Sequence, residues 1–177
     1  MKISFLNLKQ VNLPFEKEFE KAFQRLISSG WYVLGERVQE FERAYAAFNQ
    51  VEHTVGVANG LDALVVSLMA LDIGAGDEVL VPSNTYIASW LAISYVGATP
   101  IPVEPRIETY NINPELIEAA ITSKTKAIMP VHLYGQICEM EDIMAIAQKH
   151  NLYVIEDNAQ SQGATYKGKL SGSWGHC

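Results

Sequence analysis

From His53 onward the chain alternates short aliphatic runs with amphipathic stretches of about a dozen residues, and few folds accept that rhythm. Strand-like runs fall at residues 54–58, 78–81, 100–103, 127–131 and 152–155. Helical spacing falls between them, at residues 61–71, 85–96, 114–121 and 140–150. Strands separated by helices imply right-handed crossovers. The expected fold class is α/β, a mostly parallel sheet with helices on both faces. Ligands of such sheets bind beyond the carboxyl ends of the strands, so those ends are where chemistry is sought.

Two amphipathic helices precede this pattern. Residues 14–29 carry Phe15, Phe19, Phe23, Leu26 and Ile27 at helical spacing, with Pro14 at the start and Gly30 at the stop. Residues 36–48 repeat it with Val38, Phe41, Tyr45 and Phe48. The expected organisation is a helical segment over 1–50 and an α/β portion over 51–177.

Composition narrows the partners. The chain has 177 residues, 49% of them hydrophobic and 19% charged, which is enough to bury a core. A net charge of −7 without a basic run argues against nucleic acid or an anionic membrane surface. Cys138 and Cys177 form neither a zinc spacing nor a disulfide framework, which suits a reducing cytoplasm. The first ten residues lack a signal-peptide core, and no apolar stretch reaches the roughly 18 residues of a membrane span. Four scattered histidines offer no metal spacing.

Four strand ends carry candidate chemistry. Glu156-Asp157-Asn158-Ala159-Gln160 follows the apolar run Leu152-Tyr153-Val154-Ile155. A carboxylate there can pair with a protonated ring nitrogen, or it can cap a turn. Gln160 lies three residues beyond and could reach a ring oxygen or a backbone group. Asn59-Gly60-Leu61-Asp62-Ala63 sits where a strand gives way to a helix. Gly60 and Leu61 could hold a phosphate through their amides, or Asp62 could simply favour the helix start. Tyr86, in Pro82-Ser83-Asn84-Thr85-Tyr86, could stack on a flat ring or sit in the core, and Ser83 or Thr85 could cap the helix. His132 could move a proton or be structural.

These blocks, in this order, resemble the DegT/StrS family of sugar-nucleotide aminotransferases. The likeness runs through Gly35-Glu36, Asn59 to Leu64, Gly76-Asp77-Glu78-Val79-Leu80-Val81-Pro82 and Thr85-Tyr86. It continues in Gly97-Ala98-Thr99-Pro100, Thr125-Lys126-Ala127-Ile128, Pro130-Val131-His132-Leu133-Tyr134-Gly135 and Glu156 to Gln160. The resemblance implies a type I fold for pyridoxal 5'-phosphate enzymes, here its large domain in part. It implies that Gly60 and Leu61 hold the phosphate and that Tyr86 stacks on the ring. Asp157 would pair with the ring nitrogen, and Gln160 would contact the ring hydroxyl. Most relatives carry Thr where Leu61 stands. Leu followed by Asp62-Ala63-Leu64 is similar to members acting on 3-keto sugars.

The implied reaction moves an amino group from glutamate to a keto-deoxysugar linked to a nucleotide, dTDP above all, in amino-sugar biosynthesis. The implied state is a homodimer, with the two N-terminal helices as candidate contacts. The family's Schiff-base lysine is expected beyond Cys177. Lys167 and Lys169 lie too early and match the turn before it. No residue here is therefore expected to be that lysine, and the small C-terminal domain is expected to be absent. A dehydratase with histidine at the lysine position, or a non-catalytic PLP-binding fragment, are the alternatives. A dinucleotide-binding dehydrogenase is disfavoured, because no Gly-x-Gly-x-x-Gly follows a strand.

Overall fold

The computed structural model describes residues 4–177, in two compact units, one ending at Arg43 and the other beginning at Ala44. In the first, α1 (Leu8–Asn12) is capped by the Asn7 side chain, and a 3-10 turn over Leu13–Phe15 leads into α2 (Glu16–Ser29). Gly30 ends α2 at φ +64°, the left-handed position that favours glycine. Phe19, Phe23 and Ile27 form an exposed apolar stripe along α2. Helix α3 (Glu36–Asn49) runs across the division.

The second unit is a parallel sheet between two helical layers. Its strands are β1 (Glu78–Pro82), β2 (Thr99–Val103), β3 (Thr125–Ile128) and β4 (Tyr153–Val154), in the order β2-β1-β3-β4. All three pairings are parallel. Side chains alternate across the sheet as a pleat requires. Val79, Val81, Ala127 and Ile155 pack against α4 (Gly60–Ala70) and α5 (Ile87–Tyr95). Leu80, Ile128 and Val154 pack against α6 (Pro114–Ala120) and α7 (Met140–His150). Both strand faces are buried, which is why the strands read as continuous apolar runs.

Residues 54–58, expected as a strand, form none among the described residues. Val55 is 74% exposed and Val57 41%, so the run has strand composition without a neighbouring strand to ladder on. A short antiparallel hairpin, β5 (Thr165–Tyr166) and β6 (Lys169–Leu170), stands where the sequence suggests only a turn. Lys167 occupies its bend at φ +49°.

The outer edge of β4 is covered by the last residues of the chain. His176 N donates to Val154 O at 2.8 Å, and Glu156 N donates to Cys177 O at 2.9 Å. That approach requires glycine at 175, where a Cβ would lie 2.7 Å from the Val154 carbonyl oxygen.

Candidate active site

A cleft of about 410 Å³ opens at the carboxyl ends of β1, β3 and β4. Gly60, Leu61, Tyr86, Asp157 and Gln160 all line it. Tyr86, Asp157 and Gln160 follow the ends of parallel strands, which deliver them to one side of the sheet, and Gly60 and Leu61 reach the cleft at the start of α4.

Asp157 is fixed by its backbone first. Its N–H donates to Pro130 O at 2.9 Å, and its carbonyl accepts from His132 N at 3.2 Å, which continues the β3–β4 pairing past the strand ends. Its carboxylate is buried. Oδ2 accepts from the Ser89 hydroxyl at 2.7 Å, and Oδ1 from Ala159 N at 3.3 Å. It is therefore an acceptor held at the cleft, and its Oδ1 also closes the turn that follows the strand.

At the start of α4, the Asn59 side chain accepts from Asp62 N at 2.9 Å, and its carbonyl accepts from Ala63 N at 3.0 Å. The amides of Gly60 and Leu61 stand before these at the open end of the helix. Asp62 Oδ2 accepts from Asn59 Nδ2 at 3.0 Å, which turns that carboxylate back onto the cap.

Tyr86 is 72% exposed and belongs to the cleft wall, not the core. It occupies the N-cap position of α5 without a side-chain cap bond. Thr85 shares its hydroxyl with Ser89 at 3.1 Å instead of capping. Gln160 accepts from Tyr134 N through Oε1 at 2.7 Å, which settles the amide orientation and leaves its NH₂ to donate. Tyr134 holds φ +56°, a costly value for a bulky residue.

His132 is structural. Its Nδ1 accepts from Cys138 N at 3.2 Å and its Nε2 donates to Glu156 Oε2 at 2.8 Å, with the ring fully buried. Glu156 also accepts from Gly172 N at 2.9 Å, and from Trp174 N and Gly175 N at 2.6 Å each. Burial works to raise its pKa, yet the bonds from His132, Gly175 and Gly172 hold it below the usual carboxylate range. Cys138 is pushed far up by burial, which leaves an inert thiol.

Lys167 pairs with Glu141, and Lys169 lies 4.8 Å over the Trp174 ring; neither lines the cleft. Among the described residues no cluster of three metal-ligating side chains occurs, and no helix is long and apolar enough to cross a membrane.

Ser89 was not legible as a site residue, although a signal existed. It is the polar member of the 89, 92, 93 set that α5 buries, alongside Ala92 and Ile93. A hydroxyl on an otherwise apolar buried face needs a partner, and here the partner is Asp157. The four-fold grip on Glu156 was equally hidden, since three of its four donors are backbone amides.

The model of the DegT/DnrJ/EryC1/StrS aminotransferase family matches residues 14–177, and the chain belongs to that family. The dTDP-3-amino-3,6-dideoxy-alpha-D-galactopyranose transaminase of Aneurinibacillus thermoaerophilus is 60% identical over 98% of this chain and 48% of its own. The crystal structure of Streptomyces venezuelae DesV superposes with a TM-score of 0.95 at 46% identity, covering 97% of this chain and 46% of the other. The structure of NtdA from Bacillus subtilis, with bound cofactor PMP, gives a TM-score of 0.90 at 33% identity. It covers 96% of this chain and 39% of the other. The chain spans about half the length of the curated relatives it matches. The fold is thus the type I fold of PLP-dependent enzymes, present here as part of its large domain.

The residues present fit the family's cofactor, pyridoxal 5'-phosphate. A Cβ at Gly60 would meet nothing within 4 Å, so the open end of α4 leaves room for a phosphate. The Gln160 amide has its oxygen engaged and its donor side left over. Each Asp157 oxygen holds one protein donor, and a carboxylate can accept more.

Proposed function

We propose that this chain supplies the cofactor-binding half of a sugar-nucleotide 3-aminotransferase of amino-sugar biosynthesis, with residues 51–177 forming the PLP-binding portion. The observation that carries the reading is the convergence of Asp157, Gln160, Tyr86 and the open start of α4 on one cleft. When bound, PLP supplies an electron sink that stabilises negative charge developing beside the transferred amine.

Each residue has a distinct task. The Gly60 and Leu61 amides hold the phosphate at the positive end of α4. Leu61 adds no hydroxyl, so the main chain carries this contact. Tyr86 covers one ring face, where its large exposed surface is free to stack. Asp157 accepts from the ring nitrogen and keeps it protonated, which deepens the sink. The Gln160 NH₂ donates to the ring oxygen, while Tyr134 N holds its other end.

The amine acceptor is a nucleotide-linked 3-keto-6-deoxyhexose, with dTDP as the carrier, and the donor is glutamate. The 60% identity to a dTDP-3-amino-sugar transaminase supports this choice, as does Leu61 before Asp62-Ala63-Leu64. The active form is a homodimer in the cytoplasm. Neither Lys167 nor Lys169 lines the cleft, so neither is assigned as the Schiff-base lysine.

The test is a single turnover. The protein as its gene encodes it is loaded with pyridoxamine 5'-phosphate and mixed with dTDP-3-keto-6-deoxyglucose. Mass spectrometry then looks for the dTDP-3-amino sugar. Its formation supports the reading. Binding of PMP with no amine transfer to any nucleotide-linked keto sugar would limit the chain to cofactor binding.

A further inference from the structure

The Ser89 hydroxyl lies 2.7 Å from Asp157 Oδ2 and is fully buried, so this bond is not shared with solvent. The hydroxyl can donate only one proton. With that proton given to the carboxylate, Ser89 Oγ accepts from Thr85 Oγ1 at 3.1 Å. The result is a one-way chain, Thr85 to Ser89 to Asp157, in which each bond polarises the next. Ser89 is also joined to Tyr86, because Ser89 N donates to Tyr86 O at 3.2 Å. One turn of α5 therefore carries both the aromatic wall of the cleft and the hydroxyl that grips its buried acid.

We infer that Ser89 is a positioning residue that orients the Asp157 carboxylate, and through it sets how firmly a cofactor ring nitrogen holds its proton. This rests on the cofactor reading above. The other contact to the carboxylate, from Ala159 N at 3.3 Å, is long. Without Ser89, the carboxylate would lose its one close donor. It could then rotate out of line with the ring nitrogen, and a cationic ring would lose an aligned acceptor. Losing a hydrogen bond to a charged group costs on the order of tenfold in an equilibrium constant.

The probe is pyridoxamine 5'-phosphate, which binds without a lysine. Affinity is read by fluorescence titration, and the protonation of the bound ring by its ultraviolet absorption as pH is raised. Ser89→Ala is expected to weaken PMP about tenfold and, by misaligning the acceptor, to move ring deprotonation to lower pH. Ser89→Thr keeps the hydroxyl and should stay within about twofold of wild type. Ser89→Cys, a weaker donor of similar size, should shift both readings part of the way, and it serves if the alanine variant fails to fold. In an Asp157→Asn background, Ser89→Ala should add less than about twofold, because its effect runs through the carboxylate.

Wild-type affinity and an unchanged pH profile in both Ser89→Ala and Ser89→Cys would overturn the inference. So would an equal loss in the Asp157→Asn background, which would mark a purely structural serine. Failure of the wild-type protein to bind PMP would instead overturn the cofactor reading beneath it.

Discussion

His132 Nε2 donates to Glu156 Oε2 at 2.8 Å with both side chains out of solvent, and that bond is one of four that converge on the same carboxylate. The other three come from the segment 172–175, so one acid ties the end of β4 to that segment. Asp157 is the next residue. The cleft acid thus sits beside a fixed point, and its position follows from the neighbour's hydrogen bonds as well as from its own.

Replacing Glu156 tests this tie. Glu156→Gln places an NH₂ against N–H donors that need an acceptor, and a loss of about 3 kcal/mol of stability is expected. Urea unfolding of the two proteins measures it. A loss under about 0.5 kcal/mol would be surface behaviour and would contradict the account.

The same carboxylate sets a pH dependence. Its folded pKa is lowered from the unfolded value of 4.5, with His132 and the amides of Gly175 and Gly172 outweighing burial. The folded state therefore binds the proton less readily than the unfolded one. Its contribution is full above 4.5 and is lost as the pH falls through the folded value. Thermal melts of wild type should fall more steeply than those of Glu156→Gln below that pH, and parallel curves would contradict it.

Much of the fold was legible because both faces of the sheet are buried, which writes each strand as an aliphatic run between helical spacings. Met140–His150 follows its apolar periodicity, and β1 follows Glu78-Val79-Leu80-Val81. Residues 54–58 show the limit of that signal. Their pattern fits a strand, but pairing needs a neighbour that a local pattern does not describe. The site divides in the same way. Strand ends pointed to Tyr86, Asp157 and Gln160, which line the cleft. Gly60 and Leu61 line it too, but at a helix start that no strand precedes among the described residues. The donors behind them, Ser89 on α5 and the amides of 172–175, depend on tertiary approach and leave little trace in sequence.

Leu61→Thr should strengthen PMP binding by about two- to tenfold, since a hydroxyl at the open start of α4 adds one hydrogen bond to a phosphate. Isothermal titration calorimetry reads the change. An unaltered or weaker affinity would place the phosphate away from this helix.

Gln160→Glu should keep the bond from Tyr134 N but replace the free NH₂ with an acceptor. PMP affinity is expected to fall at least about tenfold, because an anionic acceptor would face the ring oxygen where a donor is needed. Fluorescence titration of the variant decides this, and wild-type affinity would remove Gln160 from the site.

Tyr86→Ala should weaken PMP by roughly two- to tenfold through lost stacking, while Tyr86→Phe keeps most of the affinity. An equal loss in both would assign the contribution to the hydroxyl and not to the ring.

The most direct test is a crystal structure of the protein with pyridoxamine 5'-phosphate. The ring is expected in the cleft at the ends of β1, β3 and β4. Its nitrogen should lie about 2.7–3.0 Å from an Asp157 carboxylate oxygen, and its phosphate against the Gly60 and Leu61 amides. A ring bound elsewhere, or turned so that its nitrogen faces away from Asp157, would contradict it.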